Sequence, residues 1–159
     1  MFSPDGPSLR ELCVQALTSV ERGYDLLAPK FDNTPFRTPA DILDATVAEL
    51  AARGPFTRGV DVCCGTGAGL AVLERLSPGG VTGVDSGAGG VTGADSSTGG
   101  VTGVDFSAGM LAQARAAHPR ATLVRADARQ LPFTAAFDLA VTFGAMGHFL
   151  PSERPAVFV

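Results

Sequence analysis

The sequence predicts a single α/β domain, a parallel sheet preceded by a helical segment. Three observations carry this. RGVDVCCGTGAGL (Arg58–Leu70) runs the apolar Val60, Val62 and Cys63 into glycines at 65, 67 and 69, the pattern of a buried strand, a glycine turn and a helix. From there strand and helix patterns alternate, which favours parallel strands with right-handed crossovers. Residues 1–57, by contrast, carry helical spacing and proline-broken loop, and no strand pattern.

The totals bound the rest. At 159 residues the chain is large enough for one real core but small for a complete enzyme. Apolar residues make up 45% and charged residues 18%, a folded and not a disordered composition. Net charge is −4, and Lys30 is the only lysine beside eleven arginines that form no run, so phosphate-mediated nucleic-acid binding is not expected. No apolar segment approaches about 18 residues, and MFSPDGPS lacks the charged-then-apolar form of a signal peptide. The expectation is a cytoplasmic protein without membrane contact. Cys13, Cys63 and Cys64 have neither metal-ligand spacing nor a disulfide framework, so no metal is expected. Cys64 reads either as a thiol activated by a helix N-terminus or as a small packed residue.

In the helical cap, residues 1–57, Ser8 and Glu11 form a capping box, and Leu9, Leu12, Cys13, Ala16, Leu17 and Val20 come next at helical spacing up to Gly23. Tyr24–Pro39 is broken by Pro29, Pro35 and Pro39 yet holds Tyr24, Phe31 and Phe36. It reads as a plug at the core edge or as a lid over a ligand. Thr38 caps a second helix with Pro39 at its first position, a buried stripe of Ile42, Leu43, Val47 and Leu50, and Gly54 as its stop.

The core spans 58–159. Gly65 and Gly67 let the backbone turn sharply after the first strand, and a helix starting near Ala68 points its free N–H groups into that turn. The position of a third dinucleotide-fingerprint glycine is Leu70, which counts against a nicotinamide or flavin dehydrogenase. After a helix over Leu70–Leu76 come three copies of a ten-residue unit within 79–108: GGVTGVDSGA, GGVTGADSST and GGVTGVDFSA, ending strand-like segments at Asp85, Asp95 and Asp105. The strand can be the last copy, or the first, which sets Asp85 about twenty residues beyond the glycine turn. The copies can also form a small meander or a calcium coil, although a calcium coil needs a period of about nine residues. The last copy is preferred, because only Asp105 runs into Phe106 and a helix, Ala108–Ala117, capped by Ser107. His118, beside Pro119, is expected at the surface. Ala121–Ala126 is a third strand ending at Asp127, residues 131–133 a loop, Phe137–Phe143 a fourth strand, Gly144–Phe149 a loop, and a helix begins at Ser152.

Four strand ends thus carry chemistry: the glycine turn, an acid able to accept from a ribose diol, Asp127-Ala128 able to pair with an amine and a ring nitrogen, and the ring of Phe143. This set resembles the class I S-adenosylmethionine-dependent methyltransferases, over roughly residues 58–150. DVCCGTGAG is similar to the family's first motif, GVDFSAGMLAQAR to its second, RADARQLPF to its third, FDLAVTFGAMGHF to its fourth, and YDLLAPKFD to its N-terminal cap. The resemblance implies a three-layer Rossmann-like sheet of about four strands in the order 3-2-1-4, with S-adenosyl-L-methionine as cofactor. It implies that Asp61, Gly65, Thr66 and Gly67 lie near the methionine part and that Tyr24 approaches its carboxylate. Asp105 would serve the ribose, Phe106 and Met110 the adenine face, and Asp127 and Ala128 the adenine edge, with Phe143 facing the ligand.

The expected reaction is methyl transfer to a small-molecule nucleophile. His148 reads as a general base or as a structural hydrogen-bonding residue. The family's last strands have no counterpart before Val159, so the chain reads as a fragment or as one completed by a partner, with the fourth strand an exposed edge open to self-association. The rival reading is a catalytically inactive domain that binds cofactor or serves as an interaction module.

Overall fold

A computed structural model describes residues 5–77 and 100–152. Its sheet has four parallel strands, β1 (Arg58–Val62), β2 (Gly100–Asp105), β3 (Thr122–Arg125) and β4 (Leu139–Val141), in the order β3-β2-β1-β4. Order and direction agree with the expectation. Register pairs Val60 with Thr102 and Ala140, and Thr102 with Thr122. The central strands β1 and β2 are buried beyond their first residues, as parallel strands covered on both faces must be.

Each face has its own core. Helices α4 (Ala68–Leu76) and α5 (Ala108–Ala117) cover one face, where Leu70, Leu73 and Ala114 pack on Val101 and Ala121. The other face buries Val60, Val62 and Val104 beneath the connection from β3 to β4, which contributes Ala128, Leu131, Phe133 and Phe137. Asp138, just before β4, fixes the start of β1 by accepting from the Thr57 N–H and hydroxyl and from the Arg58 N–H at 2.7–2.9 Å.

β2 is formed by the last copy of the repeat, and α5 spans the expected residues with Ser107 as its cap. Asp85, Asp95 and the other residues of the first two copies lie outside the described residues, as does the helix expected from Ser152 beyond its first residue.

The cap departs from expectation in three ways. Its first helix is two: α1 (Leu9–Ala16), with the capping box in place, and α2 (Val20–Leu27). Ser19 breaks the run by capping α2 through the Arg22 N–H, and Gly23 falls inside α2, where a Cβ would meet Gln15. The expected apolar stripe is not buried, since Leu9 is 78% and Leu17 88% exposed. Finally, α3 (Ala40–Ala51) has no side-chain cap from Thr38, and its predicted stripe is only half-buried, with Ile42 exposed.

Candidate functional site

The carboxyl ends of all four strands open into one cavity of about 1090 Å³, roofed by the cap. A parallel sheet places its loops there, so the location is a consequence of the topology.

Asp105 is the hub of its floor. Its Oδ2 accepts from the Gly65 N–H and its Oδ1 from the Ser107 N–H, both at 2.9 Å. The acid that ends β2 thereby holds the glycine turn of β1 and the start of α5 together. The Phe106 N–H also stabilises the charged carboxylate, which lines the cavity as an acceptor. Burial pushes the Asp105 carboxyl above its ordinary pKa, against the pull of those backbone donors.

The glycines divide in role. Gly65 has φ +53° and an added Cβ would meet nothing within 4 Å, so its open side faces the cavity. Gly67, at φ +105°, does not line the cavity. A Cβ there would lie 2.4 Å from the His118 ring. This corrects the expectation for His118, whose side chain is 12% exposed and whose Nδ1 lies 3.0 Å from Glu74 Oε2. The ring wedges under the glycine turn, and Gly67 exists in part to admit it.

Asp61 faces α4 and is 1% exposed. Burial, and after it the Asp105 charge, raises its carboxyl to about pH 8, opposed by the N–H groups of Leu70 and Gly69. Oδ2 has no hydrogen-bond partner among the described residues, and a Cβ on Gly69 would lie 2.4 Å from it. Cys63 adopts φ +60° at the end of the first strand, where burial and the neighbouring carboxylates push its thiol up to about 12. Burial raises Cys64 as well, so of its two readings the packed one fits and the activated thiol does not.

The cap meets every strand end through a polar contact. Glu21 pairs with Arg125, which also donates to the Phe106 carbonyl. Asp25 accepts from the Ser107 hydroxyl at 2.6 Å and the Gly109 N–H at 2.8 Å. Asp32 accepts from the Thr66 hydroxyl at 2.7 Å. The Tyr24 hydroxyl lies 2.9 Å from His148 Nε2, with its ring edge-on to Phe106 at 6.0 Å. Of the two readings of Tyr24–Pro39, the lid describes this geometry better than a plug.

Tyr24, Asp61, Gly65, Thr66, Asp105, Phe106, Met110, Asp127, Ala128, Phe143 and His148 all line the cavity; Gly67 stands behind it. Met110 is buried, and the Asp127 carboxylate clasps the Arg129 side chain, an ion pair that lowers its pKa. Ala128 opens a 3-10 turn, whose first N–H has no partner within the turn. Sequence reasoning missed Asp25, Arg37, Cys63 and Arg125. No spacing signals Asp25, because its partners lie 82 and 84 residues away.

A methyltransferase-domain family model matches residues 86–159. No curated protein matches the chain. Among solved structures, a protein from Methanococcus maripaludis described as an S-adenosyl-L-methionine-dependent methyltransferase superimposes with a TM-score of 0.57 at 17% identity, over 87% of this chain and 57% of that one. DesVI of Streptomyces venezuelae gives 0.53 at 20%, over 95% and 51%. CalS10, an amino pentose methyltransferase from Micromonospora echinaspora solved with S-adenosylmethionine bound, gives 0.51 at 21%, over 95% and 49%. The chain spans about half the length of these structures.

Proposed function

We propose that this chain is a class I S-adenosylmethionine-dependent methyltransferase, which binds S-adenosyl-L-methionine in the strand-end cavity and transfers its methyl group to a small-molecule acceptor. The observation that carries this is Asp105. The carboxylate ending β2 holds the glycine turn through Oδ2 and the start of α5 through Oδ1, and it faces the cavity as an acceptor for ribose hydroxyls. The vacant space over Gly65 fits the same ligand, since a backbone without Cβ lets a chain lie directly on the turn.

The cofactor supplies an electrophilic sulfonium methyl; the protein supplies alignment and exclusion of water. Asp127 and the Ala128 N–H take the adenine edge, and Phe106 and Met110 pack on the ring. Tyr24, whose hydroxyl is kept protonated by burial and by Asp105, donates toward the methionine carboxylate. His148 Nε2 faces that hydroxyl, so His148 acts here as the residue that positions Tyr24 and not as the general base.

Isothermal titration of the full chain with S-adenosylmethionine and S-adenosylhomocysteine tests the reading. Saturable one-to-one binding is expected, and absence of heat at millimolar ligand would sink it. Replacing Asp85, Asp95 and Asp105 singly by alanine should weaken binding tenfold or more only at 105; a loss at 85 instead would assign the ribose to the first copy. β4 pairs only with β1 among the described residues, and a second copy of the chain aligned on its outer edge is the self-association this predicts. Sedimentation analysis that finds monomers at all concentrations would rule that out.

A further inference from the structure

We propose that the methyl acceptor is a small aromatic molecule carrying an anionic group, with its ring against Phe31 and Phe36 and its anion on Arg37. This rests on the methyltransferase reading and names the substrate class it leaves open. The cavity, at about 1090 Å³, reaches the upper end of the roughly 300–1,000 Å³ usual for one small ligand, so it has room for a second molecule beside the cofactor. Its two walls differ in chemistry. The strand-end wall carries Asp61, Asp105 and Asp127 and suits a ligand rich in hydroxyls and amines. The cap wall, from the proline-broken segment after α2, presents Phe31, Phe36 and Arg37.

Phe36 lines the cavity yet is 62% exposed, which leaves apolar ring surface for a ligand to cover. Three arginines line the same space, and two are engaged. Arg125 is held by Glu21 and the Phe106 carbonyl, and Arg129 by Asp127. The Arg37 Nε lies 3.9 Å from Asp32 Oδ1, beyond hydrogen-bond reach, and that oxygen already accepts from the Thr66 hydroxyl at 2.7 Å. A planar guanidinium in this position offers its paired donors to an incoming carboxylate. A cationic acceptor would meet Arg37 as a like charge, and a neutral one would gain less from it than an anion does.

The test uses the full chain saturated with S-adenosylhomocysteine and titrated with benzoate and with its neutral isostere benzamide, monitored by ligand-observed NMR. Benzoate should bind about tenfold more tightly than benzamide, the lower end of what a hydrogen bond to a charged group contributes, because Arg37 is 59% exposed. Arg37→Gln should abolish that preference and Arg37→Lys should keep part of it, while the affinity for S-adenosylhomocysteine stays unchanged in both. Equal binding of the two probes, binding of neither, or a preference that survives Arg37→Gln would overturn the proposal. Failure of S-adenosylhomocysteine itself to bind the unaltered chain would overturn the methyltransferase reading beneath it.

Discussion

Asp61→Asn offers a direct measure of how the site's electrostatics load the fold. Asp61 is 1% exposed, and its carboxyl rises from an ordinary 3.8 to about 8, chiefly through burial. The native state therefore holds this proton where the unfolded chain has released it. Between about pH 4 and pH 8 the unfolded state binds fewer protons, so unfolding free energy falls as pH rises, by up to about 1.4 kcal/mol per pH unit. Over the whole window the ceiling is roughly 6 kcal/mol, fully felt only above the folded value. Asparagine has the shape and neutrality of the protonated acid, so it can keep the Leu70 and Gly69 N–H contacts without a charge to release. Urea unfolding of both proteins at pH 5, 6, 7, 8 and 9 isolates Asp61 together with its coupling to Asp105, because the uncoupled carboxylates cancel in the difference. The variant should already be about 1–2 kcal/mol more stable than the parent at pH 5, and the gap should widen with each pH unit to several kcal/mol by pH 8–9. Parallel stability curves across that range would show that Asp61 is ionised in the native state and that the reasoning is wrong.

The contacts lead to two further outcomes. Asp25→Ala removes the acceptor of two hydrogen bonds at the start of α5 and should cost about 1–2 kcal/mol, read as faster proteolysis within the cap than within the sheet. Equal protection of cap and core would mean that Asp25 does not anchor the cap. Gly67→Ala forces a Cβ at φ +105° into the His118 ring and should lower stability by about 2 kcal/mol or more, whereas Gly65→Ala, at φ +53° with open space, should cost about 1 kcal/mol and act mainly on cofactor affinity. Denaturant midpoints together with cofactor titration separate the two, and identical behaviour would refute the division of roles.

The core was legible because its signals are local and strong. A Val-rich strand into a glycine turn, an acid running into a capped helix, and alternating elements leave few topologies for a parallel sheet. The cap was not legible to the same degree, for two physical reasons. Its helices are short, so Ser19 could end one and start another within an apolar period that reads as continuous. Their apolar residues also face outward as often as inward, which spacing alone cannot tell. In the site, residues within a motif were found, while those that act across the chain were not. His118 has no sequence mark of its place beneath Gly67, and Arg125 becomes a cap anchor only when α2 brings Glu21 to it.

The repeat poses a problem of chain entropy that the strand order answers in part. All three copies share V-T-G-[VA]-D, so pairing with β1 barely discriminates among them. The residues beyond the acid decide instead: Ser107 caps α5 and donates to Asp25, whereas the residues equivalent to α5 after the second copy are Thr98 and the glycines and valine of the next unit. Choosing the last copy leaves 23 residues between Leu76 and Gly100, and removing residues 79–98 would leave three. For a flexible connection, closing 23 rather than three residues would cost about 2 kcal/mol, a tolerable fraction of an ordinary domain's stability. Deleting 79–98 should therefore raise the unfolding free energy by about that amount and leave the affinity for S-adenosylhomocysteine unchanged. Guanidinium unfolding and titration of the shortened chain measure both. A deletion that destabilises the fold would show that the extra copies pack against it, and one that abolishes binding would show that an earlier copy supplies part of the site.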